Sequence, residues 1–239
     1  MAISGSSEIF SFHLARISAW KTLPFIYAKA SPSDVPGLLH AENLAVMQLG
    51  EPILNPHRYG LGQVARFARW EHEASLDEFL ASPENAPFAK GWHVRMRLYR
   101  TWGSVRELAN ASMEPELAPV SGPVVAVTLA RLNLSQTARF IKFGKPVEAQ
   151  VRDHPGQVLA LAGIRPLTTF STFSIWKTEE EMLRMVRGTR PGEDGLSHQT
   201  AMRERARQDF HSEFTTMRFA PFREIGEWAG RSNFTKALK

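Results

Sequence analysis

Two neighbouring stretches of the C-terminal half indicate the fold class: Thr169-Phe-Ser-Thr-Phe-Ser-Ile-Trp176 and Ser197-His-Gln-Thr-Ala-Met-Arg203. The first is rich in aromatic and β-branched residues, which are typical of a strand. A short helical pattern follows at 179–186, and the second stretch then begins another helix. An apolar and aromatic segment at 210–223 ends the unit as a strand. Strands alternating with helices in this order predict an α+β unit.

The first half of the chain repeats this pattern more faintly. Strand patterns at 9–17, 38–49, 60–70 and 92–102 accompany helical patterns at 19–31 and 75–80. After residues 110–123 the same order begins again. Leu14-Ala-Arg16 recurs as Leu129-Ala-Arg131, and Trp70 recurs as Trp176. The order and even spacing of these matches predict an internal duplication.

Each copy has the ferredoxin-like order β-α-β-β-α-β. A four-stranded sheet with helices on one face leaves its other face apolar and in need of a partner. The sequence therefore predicts two tandem ferredoxin-like repeats, residues 1–109 and 124–239, which form an intramolecular dimeric α/β barrel. Residues 110–123 are interpreted as the linker. We expect the barrel to enclose a cavity that suits an apolar ligand.

Composition narrows the functional classes. The chain has 239 residues, of which 43% are hydrophobic and 22% charged, as in ordinary globular proteins. It has no apolar run of the ~20 residues that span a bilayer, and no secretory-signal pattern begins it, so a cytoplasmic location is expected. The absence of cysteine excludes disulfides and thiolate-ligated metals. The net charge of +5 is spread out, which argues against nucleic-acid binding.

Common catalytic motifs are missing from the sequence. It contains no dinucleotide-binding glycine motif, P-loop lysine motif, nucleophile elbow or paired-histidine zinc motif. These absences argue against a nucleotide-dependent oxidoreductase, an NTPase, an α/β hydrolase and a zinc hydrolase. No catalytic acid or base can be named from the residues.

Among the eight histidines, His198 has the most informative context. It lies in the first turn of a helix that is expected only in the second repeat, and Ala201, Met202 and Arg205 share its helix face. This combination suits a flat, apolar, anionic cofactor such as haem b, for which one neutral imidazole is a sufficient axial ligand. The alternative is a cofactor-free barrel that carries an apolar ligand or has a structural role.

The segment Gly163-Ile-Arg-Pro-Leu-Thr-Thr-Phe-Ser-Thr-Phe-Ser-Ile-Trp176, followed by the helix at 179–186 and His198, resembles the spheroidene monooxygenase-like family of acyclic carotenoid ketolases. Residues from Arg58-Tyr-Gly-Leu61 to Trp70 are similar to the family's first half. Trp228-Ala-Gly-Arg231 stands where the family tends to have Trp-Gly-Gly-Arg. The resemblance covers most of the chain.

This resemblance implies a haem-dependent monooxygenase, within a group of dimeric α/β barrel haem proteins, that oxidises a small apolar secondary metabolite with electrons from a donor. It implies that His198 binds the haem iron, with His211 on the following strand as the second candidate ligand. The cofactor contacts are expected from Met202, Arg203, Arg205, Phe173 and Trp176. Arg203 and Arg205 are the candidate propionate partners. Because a strand alternates its side chains, Phe170 and Phe173 cannot both face the pocket.

Two further expectations remain open at this stage. The same barrel could carry a different haem chemistry, such as a dehydratase, a peroxidase or N–O/N–N chemistry, because a fold does not determine its reaction. Pairing of the exposed barrel helices predicts a homodimer.

Overall fold

The computed structural model describes residues 8–28, 33–52, 55–119, 121–187 and 196–236. The first half contains β1 (Ile9–Arg16), α1 (Thr22–Tyr27), β2 (Leu38–Met47), β3 (Tyr59–Trp70), α2 (Glu73–Ala81), α3 (Ala86–Lys90) and β4 (Trp92–Ser104). The second half contains β5 (Val124–Leu132), α4 (Thr137–Arg152), β6 (Gln157–Arg165), β7 (Thr169–Trp176), α5 (Glu179–Arg187), α6 (Leu196–Arg207) and β8 (His211–Ile225). In these ranges no helix is long and apolar enough to cross a membrane.

The strands form one closed antiparallel barrel in the order β1-β3-β2-β6-β7-β5-β8-β4. Each half supplies a sheet of the ferredoxin-like order, β4-β1-β3-β2 and β8-β5-β7-β6. Equivalent strands meet at both seams, β2 with β6 and β4 with β8. Such self-complementary contacts are what a two-fold relation between the halves requires. The predicted fold, an α+β barrel of two ferredoxin-like repeats, is confirmed.

The barrel interior is filled with side chains, so the expectation of a cavity inside it was wrong. The inward-facing residues of both sheets form one buried cluster that includes Phe10, Phe12, Phe67, Phe173 and Phe219. The rings of Phe12 and Phe173, one from each half, stack with their centroids 3.8 Å apart. A barrel of eight strands is just wide enough for its side chains to fill. The space for a ligand must therefore lie outside the barrel wall.

Several predicted boundaries differ from the structure. The helix predicted at 19–31 is a 3₁₀ turn at Ala19–Lys21 followed by α1, which ends at Tyr27, while 29–31 lie outside the described residues. Within the segment predicted as the linker, Ala111 contacts the core and the Glu114 amide donates to the Leu98 carbonyl at 2.8 Å, so this part of it packs against the barrel. The helix expected only in the second repeat has a five-residue counterpart, α3, between α2 and β4.

A buried ionic cluster joins the two halves near the β2–β6 seam. Glu42 on β2 is 1% exposed and accepts hydrogen bonds from Arg131 on β5 and from Arg165 on β6, the latter at 2.8 Å. His40 bonds to the same carboxylate at 2.9 Å. Burial alone would raise the pKa of Glu42, but the bonds from His40 and Arg131 outweigh it and lower the pKa to about 2. Glu42 is therefore ionised over the whole physiological pH range.

The segment after β8 makes a tight two-residue turn. Trp228 and Arg231 exchange backbone hydrogen bonds of 2.8 and 3.0 Å, and the two residues between them have positive φ, +51° at Ala229 and +76° at Gly230. Two successive positive φ values define a type I′ turn, which favours glycine at both positions. Ala229 is therefore strained at the position where the resembling family tends to have glycine.

We expect Ala229→Gly to raise the free energy of unfolding by about 0.5–1 kcal/mol. The left-handed conformation costs alanine roughly 1–2 kcal/mol, and the greater freedom of glycine in the unfolded chain offsets part of that gain. Urea denaturation measures the change. Gly230→Ala is the matched control, because a Cβ there has no atom within 4 Å and adds only strain, so it should destabilise the protein. Equal unfolding midpoints for both variants would contradict the strain assignment.

Candidate active site

A cavity lies in the second half, between the outer face of the sheet and the helices that cover it. Its volume is about 420 Å³, within the range of small-molecule and cofactor pockets. The sheet contributes Ala126, Thr128, Phe170, Thr172, Ser174, Trp176, Phe214, Thr216 and Arg218. The helices contribute Phe140, Gly144, Val147, Glu148, Val151, Met182, Met185, Val186, His198, Ala201, Met202 and Arg205. The lining is thus mainly apolar and aromatic, with a minority of polar side chains.

Helix α4 covers the cavity without packing tightly on the sheet. Phe140, Gly144, Val147, Glu148 and Val151 line the cavity from a single face, at the spacing of one helical stripe. None of the sixteen residues of α4 is fully buried. A helix whose apolar stripe faces an open volume gains its remaining packing only when a ligand fills that volume.

His198 enters the cavity from α6 and is well suited to bind a metal of a cofactor. Burial lowers the pKa of His198, while a hydrogen bond to the backbone of Val186 acts in the opposite direction. A backbone carbonyl raises the pKa of a histidine when it accepts a hydrogen bond from the ring. One ring nitrogen of His198 therefore carries the proton that is donated to Val186. The other nitrogen of a neutral ring can act as an electron-pair donor, and the Val186 bond orients the ring.

The structure brings Ala201, Met202 and Arg205 to the same cavity as His198. The Arg205 guanidinium lies 3.7 Å from the centre of the Phe214 ring and bonds to Asp209 at 3.3 Å. Arg205 can therefore place a positive charge beside an anionic group of a ligand. The structure does not bring Arg203 to the site, because its side chain is exposed and does not line the cavity.

The aromatic residues of β7 divide as strand alternation requires. Phe170 points outward into the cavity layer, where its ring meets Phe140 at 4.9 Å. Trp176 is buried on the same face, with its indole N–H donating to Ser174 at 2.8 Å. Phe173 borders the cavity, but its ring stacks on Phe12 inside the barrel. A direct contact from the Phe173 ring to a cofactor is therefore not supported, because the ring belongs to the barrel core.

Comparison with characterised proteins agrees with the resemblance seen in the sequence. The chain is 31% identical over 220 residues to the spheroidene monooxygenase of Rubrivivax gelatinosus, which covers 89% of this chain and 80% of that protein. No protein-family model matches the chain. The identity and the coverage together decide the assignment. This chain belongs to the spheroidene monooxygenase family, and it is an enzyme.

Solved structures extend the comparison to the fold of this family. An aldoxime dehydratase in complex with butyraldoxime superposes with a TM-score of 0.57 and 10% identity, covering 99% of this chain and 88% of that one. Another aldoxime dehydratase structure gives a TM-score of 0.53 at 7% identity, covering 100% and 90% of the two chains. At this level of identity the similarity concerns the fold alone.

His211 is a second imidazole on the cavity of this family member. It is 8% exposed, and both of its ring nitrogens lack a hydrogen-bond partner within the described part of the chain. Burial lowers its pKa to about 4, helped by the charge of Arg205. The ring is therefore neutral at pH 7, and the Asp209 carboxylate, 3.7 Å from Nδ1, lies beyond hydrogen-bond length. His211 remains available to a ligand as a donor or an acceptor.

The sequence reasoning missed the polar groups of the cavity wall. Arg218 donates to Glu179 at 2.6 Å and lies 4.3 Å from the Trp102 ring centre, and both Arg218 and Trp102 line the cavity. Thr128, Thr172 and Thr216 lie side by side on adjacent strands. These residues come together only through strand pairing, which no local sequence signal shows. The described residues contain no group of three or more His, Asp or Glu side chains that could hold a metal ion by themselves.

Proposed function

We propose that this protein is a haem-dependent monooxygenase that oxidises a small apolar molecule. The observation that carries the proposal is His198, a neutral imidazole with one nitrogen bonded to the Val186 backbone, in a mainly apolar cavity. A protein without cysteine can offer haem iron an imidazole but no thiolate. Membership of the spheroidene monooxygenase family supports oxygenation as the reaction class.

The residues of the cavity fit haem in four respects. His198 would hold the iron, and Ala201 and Met202, three and four positions further along α6, place uncharged side chains beside the imidazole. Arg205, which pairs with the exposed carboxylate of Asp209 within the described part of the chain, would hold a propionate. Phe140, Phe170 and Phe214 would supply apolar ring contacts. Arg203 is not a candidate for the propionate, because its side chain is exposed and does not line the cavity.

When bound, haem would supply the iron at which dioxygen is activated with electrons from a donor. The chain's own residues do the rest. The Val186 bond orients His198, and the aromatic lining excludes water from the reacting volume. The same lining selects a substrate with little polar surface. The relative from Rubrivivax gelatinosus is named for spheroidene, so an apolar polyene is the first substrate to test.

Haem titration followed by a reductant test decides between the candidate reactions. We expect a Soret band that saturates at one haem per chain, and oxidation of spheroidene only when a reductant and dioxygen are both present. Labelled dioxygen should leave its isotope in the product. A dehydratase, the alternative chemistry on this barrel, would turn over without net consumption of electrons. No Soret band at stoichiometric haem would overturn the proposal and favour a cofactor-free barrel. A homodimer and a separate electron donor remain predictions.

A further inference from the structure

The two halves of the barrel place different residues at the same position of their sheets. In the first half, His13 on β1 lies between Arg66 on β3 and His93 on β4. In the second half, Thr128 on β5 lies between Thr172 on β7 and Thr216 on β8. His13 directly precedes the repeated segment Leu-Ala-Arg in the first half, and Thr128 directly precedes it in the second. The two rows of three residues are therefore structural equivalents.

A neighbouring ion pair confirms that the rows correspond. Arg95 is paired across β1–β4 with Ser11, and it donates to Glu73 at the beginning of α2 at 2.6 Å. Arg218 is paired across β5–β8 with Ala126, and it donates to Glu179 at the beginning of α5, also at 2.6 Å. The sheet and its first covering helix are thus joined in the same way in both halves. Only the adjacent row differs in size and chemistry.

The first-half row fills the layer between sheet and helices. The His13 and His93 rings stack with centroids 4.9 Å apart, and both residues are at most 2% exposed. The Arg66 guanidinium lies 5.0 and 4.8 Å from the ring centres of Phe79 and Phe88. Three large side chains therefore occupy the volume that, in the second half, is part of the cavity.

The second-half row leaves that volume open and lines it with hydroxyl groups. Thr128, Thr172 and Thr216 all line the cavity and are half-buried. Their side-chain contact within the described chain is a long one, 3.4 Å between the hydroxyls of Thr128 and Thr216. Hydroxyl protons of this row are therefore free to be donated to a ligand. The row belongs to the sheet wall, whereas His198 enters from the helix wall.

We infer that Thr128, Thr172 and Thr216 form a hydrogen-bonding wall that holds a small acceptor ligand on the side of the cavity opposite His198. The inference rests on the proposed haem site. It assigns to the threonine row the selection of the small ligand that binds in the cavity beside the haem. Hydroxyl donors in a water-poor pocket stabilise a charged acceptor much more than they would in water. The apolar side chains beside them, those of Ala126 and Phe170, have no hydrogen-bond donor for such an acceptor.

The test measures fluoride binding to the ferric haem protein and the C–O stretching frequency of the ferrous carbon monoxide complex. Thr128→Val, Thr172→Val and Thr216→Val keep the side-chain volume and remove one hydroxyl each. We expect each of them to bind a full equivalent of haem. At least one should bind fluoride about 10-fold more weakly and should raise the stretching frequency. The matched control is Thr215→Val, because that hydroxyl donates to the Trp102 carbonyl and Thr215 faces the barrel side of β8.

A variant with a larger side chain distinguishes the effect of the space that the threonine row leaves open from the effect of its hydroxyl groups. Thr128→Phe places a ring at the position equivalent to that of His13 in the first half. We expect this variant to lose haem binding while its circular dichroism stays that of the parent protein. Full haem uptake with unchanged fluoride affinity and stretching frequency in all three valine variants would overturn the inference and leave the haem site intact. Failure of the parent protein to bind haem would instead overturn the proposed function.

Discussion

Replacement of His198 by glycine is expected to weaken haem binding by more than about 100-fold, since even a residue that only supports a metal ligand is worth 10–100-fold in affinity. In the proposed function the imidazole would supply the protein's coordinate bond to the iron, and in its place the helix wall offers the thioether groups of Met182, Met185 and Met202. Added free imidazole should enter the space left by the side chain and restore the Soret band. Haem titration with and without imidazole measures both effects.

Two further glycine variants make this result specific. His57 is exposed on a 3₁₀ turn at Pro56–Arg58, away from the cavity, so His57→Gly should bind haem like the parent protein. His211 lines the cavity and is the second candidate ligand, so His211→Gly tests the assignment directly. If His211→Gly loses haem while His198→Gly keeps it, the iron ligand is His211 and the role given to the α6 histidine is wrong.

Much of the fold could be predicted because its signals are local. Strands β3 and β7, which end in Trp70 and Trp176, place successive side chains on opposite faces of the sheet. This period of two is visible in the sequence and identifies them as strands. The cavity face of α6 could be predicted for the same reason. Residues three, four and seven positions after a helical residue share its face, which correctly groups Ala201, Met202 and Arg205 with His198.

The wrong predictions concern features that depend on packing between elements or on the direction in which a side chain leaves its helix. Arg203 follows His198 by five positions. On an α-helix this separation rotates its side chain by more than a third of a turn from that of His198, so Arg203 lies on another side of the helix. The filled barrel and the open outer layer depend on which rings meet across strands, as Phe12 and Phe173 do. The threonine row is formed by cross-strand register, so a single strand cannot show it.

Replacement of Glu42 by glutamine is expected to lower the free energy of unfolding by about 3 kcal/mol at pH 7, the lower end of the range for breaking a buried ion pair. The carboxylate is the shared acceptor of Arg131, Arg165 and His40. The loss should not exceed this range, because Arg131 keeps Glu107 at 3.1 Å and Arg165 keeps the Ile26 carbonyl at 2.8 Å. Urea denaturation of both proteins at pH 7 measures the difference.

The pH dependence gives an independent check of the same cluster. The pKa of Glu42 falls from 4.5 to about 2 on folding, so its contribution is complete above pH 4.5 and disappears as the pH falls towards 2. A shift of this size corresponds to about 3 kcal/mol. The parent protein should therefore lose stability between pH 4.5 and pH 2 more steeply than Glu42→Gln does, and the two curves should converge.

A surface pair supplies the control for the Glu42 experiment. Glu180 is bonded to Arg184 at 2.6 Å, but the two side chains are 73% and 49% exposed, so Glu180→Gln should change the stability by less than about 0.5 kcal/mol. Parallel pH curves for the parent protein and Glu42→Gln would contradict the role given to Glu42. Since Glu42 belongs to the first half and both arginines to the second, a loss confined to Glu42→Gln means that the halves are held together partly by this cluster, in addition to the strand pairing at the β2–β6 seam.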